Sequence, residues 1–157
     1  MILGHGYNKP CGGAMIQPEK IADVMGGAAI LGHRVRSLGD LERTVADGLP
    51  RRALRLTAER VFPTAGEVRR LIFRIVPEAT FKRRVRLSSD ESERTERLAR
   101  VIAAAEHAWD DRKQAREWLI RPHRELGQRT PVEAAMSELG ARRVEDLLGR
   151  LFYGIPG

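Results

Sequence analysis

The chain has 157 residues, 42% of them apolar and 31% charged, with a formal net charge of +7. That balance describes a soluble globular protein of one domain or two small ones; it excludes a disordered chain and, with Cys11 the single cysteine, a disulfide framework. No apolar run approaches the ~18 residues of a membrane span, and the first nineteen residues lack the apolar stretch of a signal peptide, so a cytoplasmic protein is expected.

Residues 1–19, MILGHGYNKPCGGAMIQPE, are glycine-rich and aperiodic and read as a disordered leader, with Met15 an alternative start. From Lys20 onward the pattern is helical almost throughout. Ser37 caps LGDLERTVAD, which Gly48 and Pro50 end. Thr57 is placed to cap AERVF, closed by Pro63. Three Ser/Thr-x-x-Glu pairs then mark helix starts, because each can satisfy the free amides of a first turn. Thr64 with Glu67 opens AGEVRRLIFRI, and Ser88 with Glu91 opens the longest helix, SDESERTERLARVIAAAEHAW. Thr130 with Glu133 opens PVEAAMSEL, with Pro131 at the first helical position and Gly140 just past the end.

Leu98, Val101, Ile102, Ala105 and Trp109 recur at helical spacing and form one apolar stripe, continued after Asp110-Asp111 by Ala115, Trp118 and Leu119. Val144, Leu147, Leu148 and Leu151 make the stripe of the last helix, which Gly154 and Pro156 terminate. The one ambiguous stretch is RRVRL at 83–87. The expected fold is all-α: an N-terminal helix-turn-helix module over 20–87, then a small helical domain over 88–157.

The charge is unevenly divided. Residues 1–87 hold sixteen Lys and Arg against eight Asp and Glu, whereas residues 88–157 hold twelve against thirteen. A polyanion such as DNA is drawn to the first half. There, TAGEVRRLIFRIVPEATFKRRVR contains two short helices, from Ala65 to about Phe73 and from Pro77 onward, joined by a turn of helix-turn-helix length. The second would bury Phe81 and Val85 and present Glu78, Ala79, Lys82, Arg83 and Arg86 outward. Its start aims free amides at a phosphate, and Thr80 can bond one too. The candidate DNA-binding residues are therefore Arg69, Glu78, Thr80, Lys82, Arg83 and Arg86. The apolar residues of 20–56 are the expected dimer contact.

In the second half, ESERTERLARV (91–101), AREWL (115–119) with Pro122, LGQRTPVE (126–133) and LGARRVEDLLGRLFYG (139–154) occur in order. Together they resemble the C-terminal toxin-binding domain of the Xre/MbcA/ParS antitoxins. VPEATFKRR (76–84) is similar to the recognition helix of that family's Xre-like module, with Ala79 where an arginine usually precedes the threonine. Gln128 stands where a glycine commonly follows Leu-Gly. The resemblance spans residues 20–157. It implies a non-catalytic antitoxin that neutralises a RES-domain toxin, an NAD-consuming enzyme, and represses its own operon by binding promoter DNA as a homodimer.

Within that frame, EWLIRPHRELGQRTPVEAA forms a compact knuckle. Trp118, Leu119, Leu126 and Val132 pack inward, and Arg121, His123, Arg124 and Arg129 line the rim. The closing RLFYGIPG is expected to be hard to bury and to reach into the toxin. The candidate toxin-binding residues are Arg121, Arg124, Arg129, Leu151, Phe152, Tyr153, Gly154, Ile155, Pro156 and Gly157.

No catalytic or metal constellation is legible. His5, His33, His107 and His123 have no ligand spacing with Cys11 or with one another. GGAAILG at 26–32 lacks the Lys-Ser/Thr end of a phosphate loop. Neither an enzyme nor a cofactor is expected. The alternative to an antitoxin is a helix-turn-helix regulator whose C-terminal domain only dimerises or senses a ligand. A protein whose basic half binds RNA fits less well, because Phe73 and Phe81 read as buried.

Overall fold

The computed structural model describes residues 16–154. Among them the helices are α1 (Pro18–Val24), α2 (Gly27–Leu31), α3 (Leu38–Ala46), α4 (Arg51–Val61), α5 (Ala65–Ile75) and α6 (Glu78–Arg83). They continue with α7 (Ser89–Trp109), α8 (Arg112–Leu119), α9 (Pro131–Ala134) and α10 (Glu138–Tyr153), with a 3-10 turn at Arg124–Leu126. No strand forms among the described residues, in keeping with the all-α expectation. The first helix starts at Pro18, so the last two residues of the expected leader are helical; residues 1–15 lie outside the described part.

The long helix organises the molecule. Ser88 accepts a hydrogen bond from the Glu91 amide, and the Glu91 carboxylate accepts one from the Ser88 amide, completing the anticipated capping box. α7 packs against α1, α3, α4, α5, α8, α9 and α10. It therefore buries far more than one stripe: Leu98, Ala99, Val101, Ile102, Ala103 and Ala105 are all enclosed. The apolar surface is confined largely to its C-terminal half, where the alanines let neighbours approach closely, while Asp90, Glu93 and Arg94 in the first turns stay exposed. The expected border at residue 88 thus falls just before a helix that serves both halves.

Two fully buried hydroxyls of α7 are satisfied, whereas the buried Trp109 indole N–H has no hydrogen-bond partner among the described residues. The fully enclosed Ser92 hydroxyl accepts from the Leu49 amide at 2.8 Å, and Thr95 donates back to the Glu91 carbonyl at 2.8 Å.

Several local expectations are corrected. Thr57 caps nothing: it sits in the middle of α4, fully buried, and donates to the Ala53 carbonyl at 2.7 Å. The segment PVEAAMSEL does not run as one helix. α9 stops at Ala134, Ser137 caps α10 by accepting from the Gly140 amide at 3.0 Å, and Gly140 lies inside the new helix. RRVRL makes no strand. Its residues 85–87 instead pair with the loop before α4, through Val85 C=O with the Arg51 amide (2.9 Å) and the Leu87 amide with Leu49 C=O (2.8 Å).

Candidate nucleic-acid and partner interfaces

The basic face is built on α5 and α6. Thr64 caps α5, which buries Val68, Leu71, Ile72 and Ile75 and turns Arg69, Arg70 and Arg74 to solvent. α5 ends where it does because Val76 precedes a proline: Pro77 disfavours helical backbone before it, and Val76 is extended at φ −130°, ψ 127°. α6 then starts at Glu78 with Phe81 as its buried anchor, its ring edge-on to Phe73 at 6.4 Å. The two helices and their two-residue turn are the expected helix-turn-helix.

The predicted DNA-facing residues separate into four groups. Arg69 and Arg83 are exposed and have no hydrogen bond or ion pair among the described residues. Lys82 is exposed but bonded to Glu78 at 2.6 Å. That hydrogen bond, then the ammonium's charge, with a lesser push from Arg69, holds the Glu78 carboxyl below its usual range. Thr80 is half-buried on α6. Arg86 lies beyond the helix, and its guanidinium donates to the Gly48 carbonyl at 2.6 Å, so it ties the α3–α4 loop rather than joining the helix face. Val85, expected inward, is 76% exposed, because α6 ends at Arg83 and Arg84 is extended at ψ 143°. A four-residue step no longer places Val85 beside Phe81.

One residue that sequence spacing missed completes this face. Arg51 of α4 donates to the carbonyls of Phe81 and Lys82, both at 3.0 Å, and so caps the C-terminus of α6. Its guanidinium and that of Arg55 lie 5.8 and 5.9 Å from the centre of the Phe81 ring. Between α4, α5 and α6 runs a groove of about 970 Å³, floored by Phe62, Phe73 and Phe81. Arg51 leaves no trace in helical periodicity, since its partners lie thirty residues downstream.

At the opposite end of the sequence the knuckle forms as expected. Trp118, Leu119, Leu126 and Val132 are buried. The His123 amide donates to Arg129 C=O (3.0 Å) and the Gln128 amide to His123 C=O (2.9 Å), closing the loop around the 3-10 turn. The His123 imidazole folds inward: it lies 4.9 Å from the Trp118 ring and donates from Nε2 to the Trp118 carbonyl at 3.2 Å. Gly127 and Gln128 both take left-handed backbone, at φ 66° and 64°.

Of the rim arginines, Arg121 and Arg124 are exposed with no partner among the described residues, whereas Arg129 donates to the Leu126 carbonyl at 3.1 Å. Two arginines that the sequence did not single out pin the knuckle to α10. Arg143 donates to the Glu125 carbonyl and Arg150 pairs with the Glu125 carboxylate, each at 2.6 Å.

The end of α10 corrects the expectation that the aromatic pair resists burial. Phe152 meets Trp109 edge to face at 4.7 Å, and Tyr153 stacks over His107 with the rings 6.4 Å apart and 23° from parallel. Burial raises the Tyr153 phenol above its ordinary range. Leu151, by contrast, is 56% exposed rather than part of the packed stripe. Gly154 ends the helix in left-handed backbone at φ 60°. Ile155, Pro156 and Gly157 lie outside the described residues. Among those residues no group of three or more His, Cys, Asp or Glu could hold a metal, and no helix is long and apolar enough to cross a membrane.

An all-α chain with a helix-turn-helix on its basic side and a helical C-terminal domain belongs to the class of two-domain helix-turn-helix proteins. Comparison with known families narrows it. Residues 40–100 match the antitoxin Xre-like helix-turn-helix domain, and residues 104–154 match the antitoxin Xre/MbcA/ParS C-terminal toxin-binding domain. The chain is 39% identical over 71 residues to Antitoxin Xre of Yersinia enterocolitica, covering 45% of this chain and 48% of that protein. Against Antitoxin Xre of Photorhabdus laumondii it is 39% identical over 74 residues, 45% and 48% of the two chains. With Antitoxin Xre of Pseudomonas putida the identity is 31% over 84 residues, 51% and 53%. The chain spans about half the length of the curated relatives it matches. Both domains of the chain are thus similar to domains of Xre-type antitoxins.

Proposed function

We propose that this chain is the antitoxin of a toxin–antitoxin pair in the cytoplasm, with no catalytic activity and no cofactor of its own. Residues 88–157 bind a RES-domain toxin that consumes NAD and block its active site with the C-terminal segment. Residues 20–87, as a homodimer, bind the promoter DNA of the operon and repress it. The observation that carries this reading is the toxin-binding match over residues 104–154, which runs from the end of α7 to the glycine that terminates α10.

The geometry supplies a physical rationale for both surfaces. Arg69 and Arg83 on the helix-turn-helix are free to meet phosphates, and phosphate contacts set register on a duplex. At the other surface, Arg121, Arg124 and Leu151 are exposed beside a pinned knuckle, which offers a preorganised patch at little ordering cost.

The test is coexpression with the adjacent reading frame, tagging only the neighbour, followed by an assay of NAD consumption in the eluate. A stoichiometric complex with suppressed NAD loss is expected. Failure to copurify would leave a helix-turn-helix regulator whose C-terminal domain has another task.

A further inference from the structure

The helix that carries Lys82 and Arg83 has little of its own to hold it. Of the six residues of α6 Phe81 alone is buried, and no side chain caps its start. Its first turn is tied to α5 through the buried Val76, and its middle rests on Phe81 against Phe73. What fixes its last turn, where Lys82 and Arg83 lie, comes from an earlier part of the chain.

That part is the corner between α3 and α4, residues 48–51. One nitrogen of the Arg51 guanidinium donates to the carbonyls of Phe81 and Lys82, both at 3.0 Å, while the guanidinium lies over the Phe81 ring. A helix end leaves such carbonyls without an amide, and a cation beside them is favourable. The Arg51 amide donates to Val85 C=O at 2.9 Å, and the Leu87 amide to Leu49 C=O at 2.8 Å. With Arg86 donating to Gly48 C=O at 2.6 Å, the chain from 81 to 87 wraps around the corner. The corner is itself anchored: Leu49 is fully buried, and its amide donates to Ser92 of α7. Gly48, at φ 89°, permits the approach, since a Cβ there would stand 2.7 Å from the Leu87 carbonyl oxygen.

We infer that Arg51 is a positioning residue for the DNA-facing helix: from the anchored corner it fixes the last turn of α6, and with it Lys82 and Arg83, without meeting DNA itself. The inference rests on the proposed DNA-binding role of that helix. It adds that the affinity of this face is governed in part from α4, outside the two helices of the motif.

Two measurements on the full chain test it. The first needs no DNA. In Arg51→Met, amide hydrogen exchange at Lys82, Arg83 and Arg84 is expected to quicken about tenfold, while buried α7 amides such as Ile102 keep their protection. Wild-type protection at residues 82–84 overturns the inference, and so does an equal loss at Ile102, which would mean general destabilisation. The second is affinity for the operon's own promoter fragment, read by fluorescence anisotropy at several salt concentrations. Arg51→Met weakens it about tenfold, because Lys82 and Arg83 must then be ordered on binding, and leaves the slope against log salt at the wild-type value. A slope lowered by about 0.9 means that Arg51 meets a phosphate, which overturns the inference, as does wild-type affinity. Should Arg51→Met not fold, Arg51→Lys takes its place. Its shorter side chain keeps the charge but cannot span both carbonyls, and the same local exchange and loss of affinity are expected. A wild-type protein that does not bind the fragment sinks the DNA-binding reading, and exchange at 82–84 then upholds or overturns the clamp on α6 by itself.

Discussion

A Cβ on Gly140 would overlap the carbonyl oxygen of Ala134 and stand 2.9 Å from the Ser137 hydroxyl. The chain reverses between α9 and α10 in three residues, and only the missing side chain lets the two helix ends cross. Gly140→Ala is therefore expected to destabilise the protein by about 1–3 kcal/mol, the usual cost of overpacking. Urea unfolding measures it as a lower midpoint at unchanged slope. A wild-type midpoint would show that the corner can open without penalty.

Gln128 carries the opposite kind of defect. It holds left-handed backbone at φ 64° immediately after Gly127, a conformation that crowds an L side chain. Gln128→Gly should stabilise the knuckle by roughly 0.5–1 kcal/mol, the steric gain less glycine's extra chain entropy. The readout is thermal unfolding; a decrease in melting temperature would mean that the Gln128 side chain holds the loop in some other way.

Ser92 is the fully buried acceptor for the Leu49 amide. Ser92→Ala strands that donor inside the core, so a loss of about 1–3 kcal/mol is expected. Ser92→Gly should cost more still, through added helix entropy. Hydrogen exchange at Leu49 provides a local check, since its protection should fall in both variants.

Glu96 and Glu138, both near Arg100, respond to pH in opposite senses. Burial raises the Glu96 carboxyl, with Glu138 and Glu145 adding to the rise and Arg100 opposing it. A raised folded value means that the native protein holds a proton that the unfolded chain has released, so stability falls as pH rises from about 4.5 through that window. Glu138 is lowered, by Arg97 and Arg100 acting against its burial, and its contribution is lost only as pH drops below 4.5. Glu96→Gln, which leaves Arg100 paired with Glu145 at 2.8 Å, should melt higher than wild type near neutral pH. That gap should close as pH falls toward the ordinary glutamate value. A gap that widened on acidification would contradict this.

On the proposed DNA face, Arg83→Ala should lower the slope of log affinity against log salt by about 0.9, one phosphate's worth, uniformly across sequences. Glu78→Ala should act the other way and tighten binding, because it frees Lys82 from its 2.6 Å ion pair and removes a negative charge. Fluorescence anisotropy with promoter DNA at several salt concentrations distinguishes the two. Tighter binding by Arg83→Ala would place the DNA elsewhere.

What the sequence by itself determined was everything encoded within a few residues. Ser37, Thr64, Ser88 and Thr130 mark helix starts because a cap and its target amide are three positions apart. Asp111 caps α8 over the same range. The order of four short C-terminal motifs was legible in the same way, and so was the likeness of both domains to those of Xre-type antitoxins. The tertiary structure alone decided which of these signals prevail. Thr57 has the chemistry of a cap, but burial of Ala53, Leu54, Ala58 and Val61 on one face carries α4 straight through it. Gly140 looks like a helix stop until Ala134 is seen against it. The contacts of Phe152 with Trp109 and of Tyr153 with His107, and the role of Arg51 in closing α6, join residues far apart in the chain. Local pattern cannot announce such pairs, because the free energy that makes them comes from burial and hydrogen bonding that exist only once the helices have packed.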